Sequence, residues 1–214
     1  MPSDILAEVA SARIVPVIVL ERAADAVPLC RALAAGGLQV AEITFRTAAA
    51  QEAIALVARE IPSFVLGAGT VTTRAEVVAA QQAGARFAVA PGCNPDIVQA
   101  GQAAGLAFWP GVCTPSDVER ALALGCTALK FFPAVAAGGI PMLKALYGPY
   151  QHRGVRFVAT GGIELGNLRD WLKTPGILAI GGTWMVAPKL IAAGNWAEIT
   201  RLTAEAVQVA KECA

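Results

Sequence analysis

The chain is predicted to fold as a single (β/α)8 barrel of the α/β class with an extra N-terminal helix, and three observations carry that expectation. Short runs of β-branched and aromatic residues alternate with Ala-rich stretches whose charges recur at helical spacing, the pattern of βα units around a parallel sheet. The alternation repeats eight times over 214 residues, a length usual for one barrel, without a linker or a shift of composition. Hydrophobic residues make up 56% of the chain and charged residues 15%, with a mean hydropathy of +0.56. That excess suits strands buried on both faces and an oligomer that hides apolar surface. Residues 1–214 are accordingly read as one domain. A doubly wound open sheet is the alternative that the same alternation allows.

Taken in order, Ser3, Asp4 or both can cap a leading helix that reaches residue 13. Strand one is residues 14–20, and its helix runs from 24 to a glycine stop at Gly36-Gly37. Strand two is 39–45, with a helix over 48–60 that ends before Pro62. Strand three is 63–67, with a helix over 73–83 stopped by Gly84. Strand four is 86–90, and Asn94-Pro95 opens the next helix as a cap followed by proline at the first helical position. Strand five is 106–109, and Thr114-Pro115 repeats that device. Strand six is 127–133, followed by a helix near 141–147. Strand seven is 155–159, with a helix over 165–172. Strand eight is 177–180, and helices over 188–193 and 196–211 complete the chain.

Composition excludes several function classes. A formal net charge of +1 and the absence of any Lys/Arg run give no footprint for nucleic acid. Five scattered cysteines form no CxxC pair and make a poor disulfide framework, and a single histidine, His152, makes a zinc site of usual spacing improbable. No metal or cofactor is expected. The apolar stretch 14–20 contains Pro16 and leads into Glu21-Arg22, so it is not read as an export signal. No apolar run approaches the roughly 18 residues of a membrane span. Reduced thiols in a cytoplasmic enzyme follow as the plain expectation.

The sixth strand, Thr127-Ala128-Leu129-Lys130-Phe131-Phe132-Pro133, sets one lysine in an apolar run. Lysine is rarely fully buried, so such a strand has to lead it to water, pair it or keep it neutral, and a neutral amine is a nucleophile. Lys130 is in phase with Ala128 and Phe132, while Leu129 and Phe131 point towards the helices, so Lys130 faces the barrel axis near a strand's carboxyl end, where barrel active sites lie. Desolvation by neighbours such as Phe132 favours the neutral form. Glu42, in phase with Val40 and Thr44 on strand two, faces the same axis from the opposite side. It can act as a proton shuttle for imine chemistry, or simply neutralise Lys130. Arg46 continues that face and can grip a carboxylate in bidentate fashion, or join a salt bridge at the rim. Thr70, after Gly67-Ala68-Gly69, offers a hydroxyl and bare amides to the same carboxylate. Gly161-Gly162 and Gly181-Gly182 end strands seven and eight, whose loops form the common barrel phosphate site, and Thr160 and Thr183 can add hydroxyl donors. Either glycine pair alone also serves as a tight turn. Phe132 is read as packing against the bound imine, His152 as solvent-exposed. Cys93 and Cys113 lack a histidine partner and are not read as nucleophiles.

Six stretches occur in order: Glu42-Ile43-Thr44-Phe45-Arg46-Thr47, Gly67-Ala68-Gly69-Thr70-Val71, Ala90-Pro91-Gly92, Lys130-Phe131-Phe132-Pro133-Ala134, Thr160-Gly161-Gly162-Ile163 and Gly181-Gly182-Thr183-Trp184. Together they make the chain resemble the 2-keto-3-deoxy-6-phosphogluconate (KDPG) / 4-hydroxy-2-oxoglutarate (KHG) aldolase family over nearly its whole length. The resemblance implies an imine on Lys130, general acid/base work by Glu42, and a pyruvate carboxylate held at Arg46 and Thr70 with Pro91 lining the pocket. It also implies a homotrimer. The chain departs from the family at Val135, where many members carry Glu, at Ala137, where many carry Asn, and at Thr183, often Ser. The loop 135–139 borders the site, so these departures bear on substrate range. No Arg or Lys clearly joins the phosphate loops, with Arg22 a weak candidate.

The expected reaction is therefore cleavage of a 2-keto-4-hydroxy acid to pyruvate and an aldehyde, glyceraldehyde 3-phosphate from KDPG or glyoxylate from KHG. A phosphosugar isomerase or epimerase using Glu42 as base and a non-catalytic phosphometabolite-binding barrel stay open as alternatives.

Overall fold

In the computed structural model, which describes residues 5–213, the strands are β1 (Ile14–Ile18), β2 (Val40–Thr44), β3 (Val65–Gly69), β4 (Phe87–Val89), β5 (Ala107–Trp109), β6 (Gly111–Val112), β7 (Ala128–Phe131), β8 (Arg156–Thr160) and β9 (Ile177–Gly182). All pair in parallel, in the order β5-β4-β3-β2-β1-β9-β8-β7-β6. The expected fifth strand, 106–109, is observed as β5, and after Pro110, which has no N–H to donate, the chain resumes as the short β6, which was not expected. The two strands still bridge the open edges. Trp109 O accepts from Ala90 N at 3.3 Å, and Pro110 O accepts from Lys130 N at 2.9 Å. The (β/α)8 barrel is thus the observed architecture.

The helices are α1 (Ile5–Ala12), α2 (Ala26–Ala35), α3 (Ala50–Glu60), α4 (Arg74–Gln82), α5 (Pro95–Ala103), α6 (Pro115–Ala123), α7 (Gly139–Tyr150), α8 (Leu165–Leu172), α9 (Pro188–Ala192) and α10 (Trp196–Lys211). The cap expected at Ser3 or Asp4 lies outside the described residues. Helix starts follow local chemistry. The Asn94 side chain accepts from Asp96 N at the head of α5, and Thr73 and Thr114 form capping boxes with Glu76 and Asp117 at α4 and α6.

Two apolar layers result from the strand period of two. Leu129, Phe131, Phe157 and Ala159 pack outwards against helices such as α8, whose Trp171 ring lies 6.5 Å from that of Phe131. Val15, Val40, Val65, Phe87, Trp109, Ala128 and Val158 fill the barrel interior, where the Phe87 and Trp109 rings stack at 4.4 Å. Val9 of α1 joins this inner cluster and closes the barrel floor. The interior is therefore solid below, and reactive groups are confined to its upper, carboxyl end.

Strands β3 and β9 run two residues further than expected, through Gly69 and Gly182. Glycine is depleted in strands, so it reads locally as a loop. Here the neighbours require it. A Cβ at Gly67 would strike the Phe87 ring, and one at Gly182 would lie 2.6 Å from Cη2 of Trp184.

Candidate active site

Lys130 and Glu42 come from β7 and β2, which stand opposite one another across the barrel, four strands apart in either direction when β5 and β6 are counted as one. Lys130 Nζ donates to Glu42 Oε1 at 3.2 Å. Lys130 is 6% exposed and Glu42 2%, so the pair lies away from water, where an unpaired ammonium would be costly. Lys130 Nζ also sits 5.5 Å from the centroid of the Phe132 ring, which shields it from one side. Of the three outcomes open to a lysine in this strand, the structure shows pairing, at a site away from water.

Above the pair opens a cavity of about 300 Å³. Of the residues picked out in the sequence, Lys130, Arg46, Thr70, Pro91, Phe132, Thr160, Gly161, Gly162, Gly181 and Thr183 line it. Glu42 lies behind Lys130 rather than on the wall. Gly182 is not on the wall either. It lies under the Trp184 ring, which explains the glycine without a ligand. Val17, Thr44 and Ile163 line the cavity without having been singled out. Thr44 was legible, since it shares the inward phase of Glu42, and its hydroxyl donates to Ile18 O at 2.9 Å.

Arg46 is exposed at the rim, and its guanidinium has no ion pair among the described residues, so the rim salt bridge is not formed. Thr70 takes a left-handed backbone conformation, φ +57°, where β3 gives way to its loop. On the opposite wall Thr160 is 6% exposed, and its buried Oγ1 has no hydrogen-bond partner. Gly161 (φ +106°) and Gly162 (φ +76°) turn the chain there in conformations open at little cost only to glycine. Arg22 is elsewhere. Its guanidinium grips Asp25 through Nε–Oδ2 at 3.0 Å and Nη2–Oδ1 at 2.5 Å, outside the cavity.

Other reactive groups stand apart. His152 is exposed in the turn after α7. Burial pushes the thiol of Cys93 up, that of Cys126 to about 11 and that of Cys30 to about 12, so these three stay protonated at neutral pH. A second cleft of about 390 Å³ beyond Pro91 is lined by Val71, Cys93, Ile97 and Phe108 among others and holds no charged group.

A buried lysine–carboxylate pair under a cavity with a free arginine on one wall and an unpartnered hydroxyl on the other suits imine chemistry on an anionic keto acid. Comparison with known proteins agrees. The family model for KDPG and KHG aldolase matches residues 5–202. A 2-dehydro-3-deoxy-phosphogluconate aldolase of Haemophilus influenzae is 48% identical over 208 residues, 97% of each chain. A KDPG aldolase from Legionella pneumophila, with pyruvate captured as a covalent carbinolamine intermediate, superposes with a TM-score of 0.90 at 40% identity over 95% of this chain and 98% of that one. The aldolase of Zymomonas mobilis with 3-phosphoglycerate gives 0.87 at 43% identity, over 95% and 94%. The chain belongs to the KDPG and KHG aldolase family.

Proposed function

We propose that Lys130 is the imine-forming residue of this aldolase and that Glu42 moves its protons. The enzyme is a lyase that cleaves KDPG to pyruvate and glyceraldehyde 3-phosphate, with KHG, cleaved to pyruvate and glyoxylate, as a second substrate. The Lys130 amine adds to the C2 ketone, and the carbinolamine loses water to leave a protonated imine. Glu42, as carboxylate, takes the C4 hydroxyl proton as the C3–C4 bond breaks. The bonding pair passes into the imine as an enamine, and the aldehyde departs. Glu42 returns a proton to C3, and water hydrolyses the imine to pyruvate and free lysine. Arg46 and Thr70 hold the carboxylate at one side of the cavity, with Pro91 and Phe132 framing the imine. Thr160, Gly161, Gly162, Gly181 and Thr183 receive the phosphate at the other side. Gly182 supports this wall from behind, under Trp184.

The observation that carries this reading is the 3.2 Å contact between Lys130 and Glu42, both buried, beneath a cavity that Lys130 and Arg46 line. Borohydride reduction in the presence of pyruvate, followed by intact and peptide mass spectrometry, is expected to find a pyruvyl adduct on Lys130. An unlabelled, folded protein at neutral pH would instead favour the epimerase reading. We further propose a cytoplasmic homotrimer. The 56% hydrophobic content of the chain supports buried subunit contact, and all five cysteines are free thiols. Light scattering on the eluting protein is expected to give three times the 22.0 kDa of one chain. No helix among the described residues is long and apolar enough to cross a membrane.

A further inference from the structure

We infer that Gly69 is a positioning residue for the reaction: its bare Cα leaves the space in which the Glu42 carboxylate reaches Lys130. The inference rests on the role given to Glu42 above. Gly69 closes β3 without a positive φ, so its backbone conformation does not require glycine. Space requires it. A Cβ built there lies 2.6 Å from both Cγ and Cδ of Glu42, and nearer still to Oε1, the oxygen that accepts from Lys130 Nζ. Real Cβ atoms do not approach so closely, so one partner has to move.

The register explains why the two meet. Thr44 lies opposite Gly69 and Glu42 opposite Gly67, so the Glu42 side chain leans up its strand across the face of its neighbour. Val65, Gly67 and Gly69 share that inner face, and only Val65 carries a side chain. The Phe87 ring covers Gly67, and Gly69 is the bare spot on which the carboxylate rests. Gly69 itself is held by its carbonyl, which accepts from Phe45 N at 2.8 Å. The Glu42 carboxylate is the end of a rotatable side chain, and it gives way first. The Gly69→Ala variant therefore keeps its barrel and its lysine but carries the carboxylate away from Nζ and from the reacting hydroxyl.

A double-mutant cycle tests this. Gly69→Ala alone is expected to lower kcat for KDPG cleavage about 10- to 100-fold, part of the roughly 10²–10⁴-fold that acid–base catalysis contributes. KM should change less than about threefold, since Arg46 and Thr70 still hold the carboxylate. Trapping with pyruvate at equilibrium should still label Lys130 to the wild-type extent, which a collapsed site would not allow. Glu42→Ala removes the atoms that the added methyl group would strike, so the double variant should have the kcat of Glu42→Ala alone, with no added loss of Tm. Glu42→Gln keeps the bulk, and in that background Gly69→Ala should still lower Tm. Multiplicative losses of kcat would overturn the positioning role and leave Glu42's role intact. Near wild-type turnover in Glu42→Ala would overturn the role of Glu42, and the inference with it. If Gly69→Ala fails to fold, recovery of the fold by Glu42→Ala supports the steric conflict, and failure of both overturns it.

Discussion

Thr70 holds a conformation that β-branched residues rarely adopt, φ +57°, at the edge of the cavity. A non-glycine residue kept there costs on the order of 1–3 kcal/mol, and such strain persists where the surroundings over-determine it. The strain keeps the Thr70 hydroxyl on the cavity wall just after Gly69, within the same short stretch that shapes Glu42's floor. Thr70→Gly is expected to hold or raise Tm, because strain relief offsets the entropy glycine adds to the unfolded chain, roughly 1 kcal/mol. The same change should raise KM for KDPG about tenfold, by removing one hydrogen bond to a charged group, worth about 1.5 kcal/mol. A marked fall of Tm in scanning calorimetry would contradict the strain argument, whatever KM does. Lys130 allows a separate test at this scale. Lys130→Arg keeps a cation beside Glu42 but removes the nucleophile, so the protein should fold, yield no pyruvyl adduct and lose essentially all turnover. Retained cleavage would refute the imine.

Among the elements, α6 shows how local chemistry sets a boundary. Asp117 Oδ2 accepts from Cys113 N, Thr114 N and the Thr114 hydroxyl at 3.1, 2.9 and 2.8 Å. Desolvation pushes the Asp117 carboxyl up, but these bonds from Thr114 and Cys113, with Arg120 nearby, outweigh it and hold the group below its ordinary 3.8. A depressed carboxyl contributes stability above its unfolded value and loses it as pH falls through the folded one. Asp117→Asn should therefore flatten the stability loss below about pH 4 that wild type shows, a difference read by urea melts across that range. Thr114→Ala removes the cap for about 1 kcal/mol, or roughly 2–4 °C in a chain of this size. Because such caps are local, the starts of α5 and α6 were legible in Asn94-Pro95 and Thr114-Pro115. The Lys130–Glu42 pair was legible too, from the period of two and the placing of even strands across a barrel. What escaped were features decided by distant partners. The ends of β3 and β9 are glycines that only Glu42, Phe87, Thr160 and Trp184 explain. Strand β6 restarts after Pro110 because Gly111 can lie against the Pro91 carbonyl. Gly182 lies under the Trp184 ring, and nothing within the local stretch distinguishes that use of a glycine from a phosphate contact.

At the scale of the molecule, the barrel divides its labour between two ends, and Arg13 works at the end away from the chemistry. It joins α1 to β1 in a left-handed conformation, φ +60°. Its Nη1 donates to Cys213 O at 2.8 Å and its Nη2 to Leu172 O at 2.6 Å. Leu172 is the last residue of α8, and Cys213 lies in the turn beyond α10, so one cation serves a carbonyl that the end of α8 leaves unpaired and one that follows α10. The Arg13 carbonyl accepts from Ile180 N at 2.9 Å, which ties the same residue into β9. The beginning of the chain is thereby fastened to its last helices where the barrel closes between β1 and β9. Arg13→Ala removes two bonds from a charged donor, each worth about 1.5–3 kcal/mol, and leaves alanine in a conformation that costs it roughly 1–2 kcal/mol. Arg13→Gly removes the same bonds without the conformational cost. Both should lower Tm, alanine more than glycine, at roughly 2–4 °C per kcal/mol, with faster hydrogen exchange in the last turn of α10. Well below Tm, kcat should be unchanged, because Lys130, Glu42 and the cavity lie at the carboxyl ends of the strands and Arg13 at the amino end of β1. Equal melting points for the two variants would show that the left-handed backbone carries no strain. A loss of kcat at low temperature would show that the fastening at the floor reaches the cavity above it.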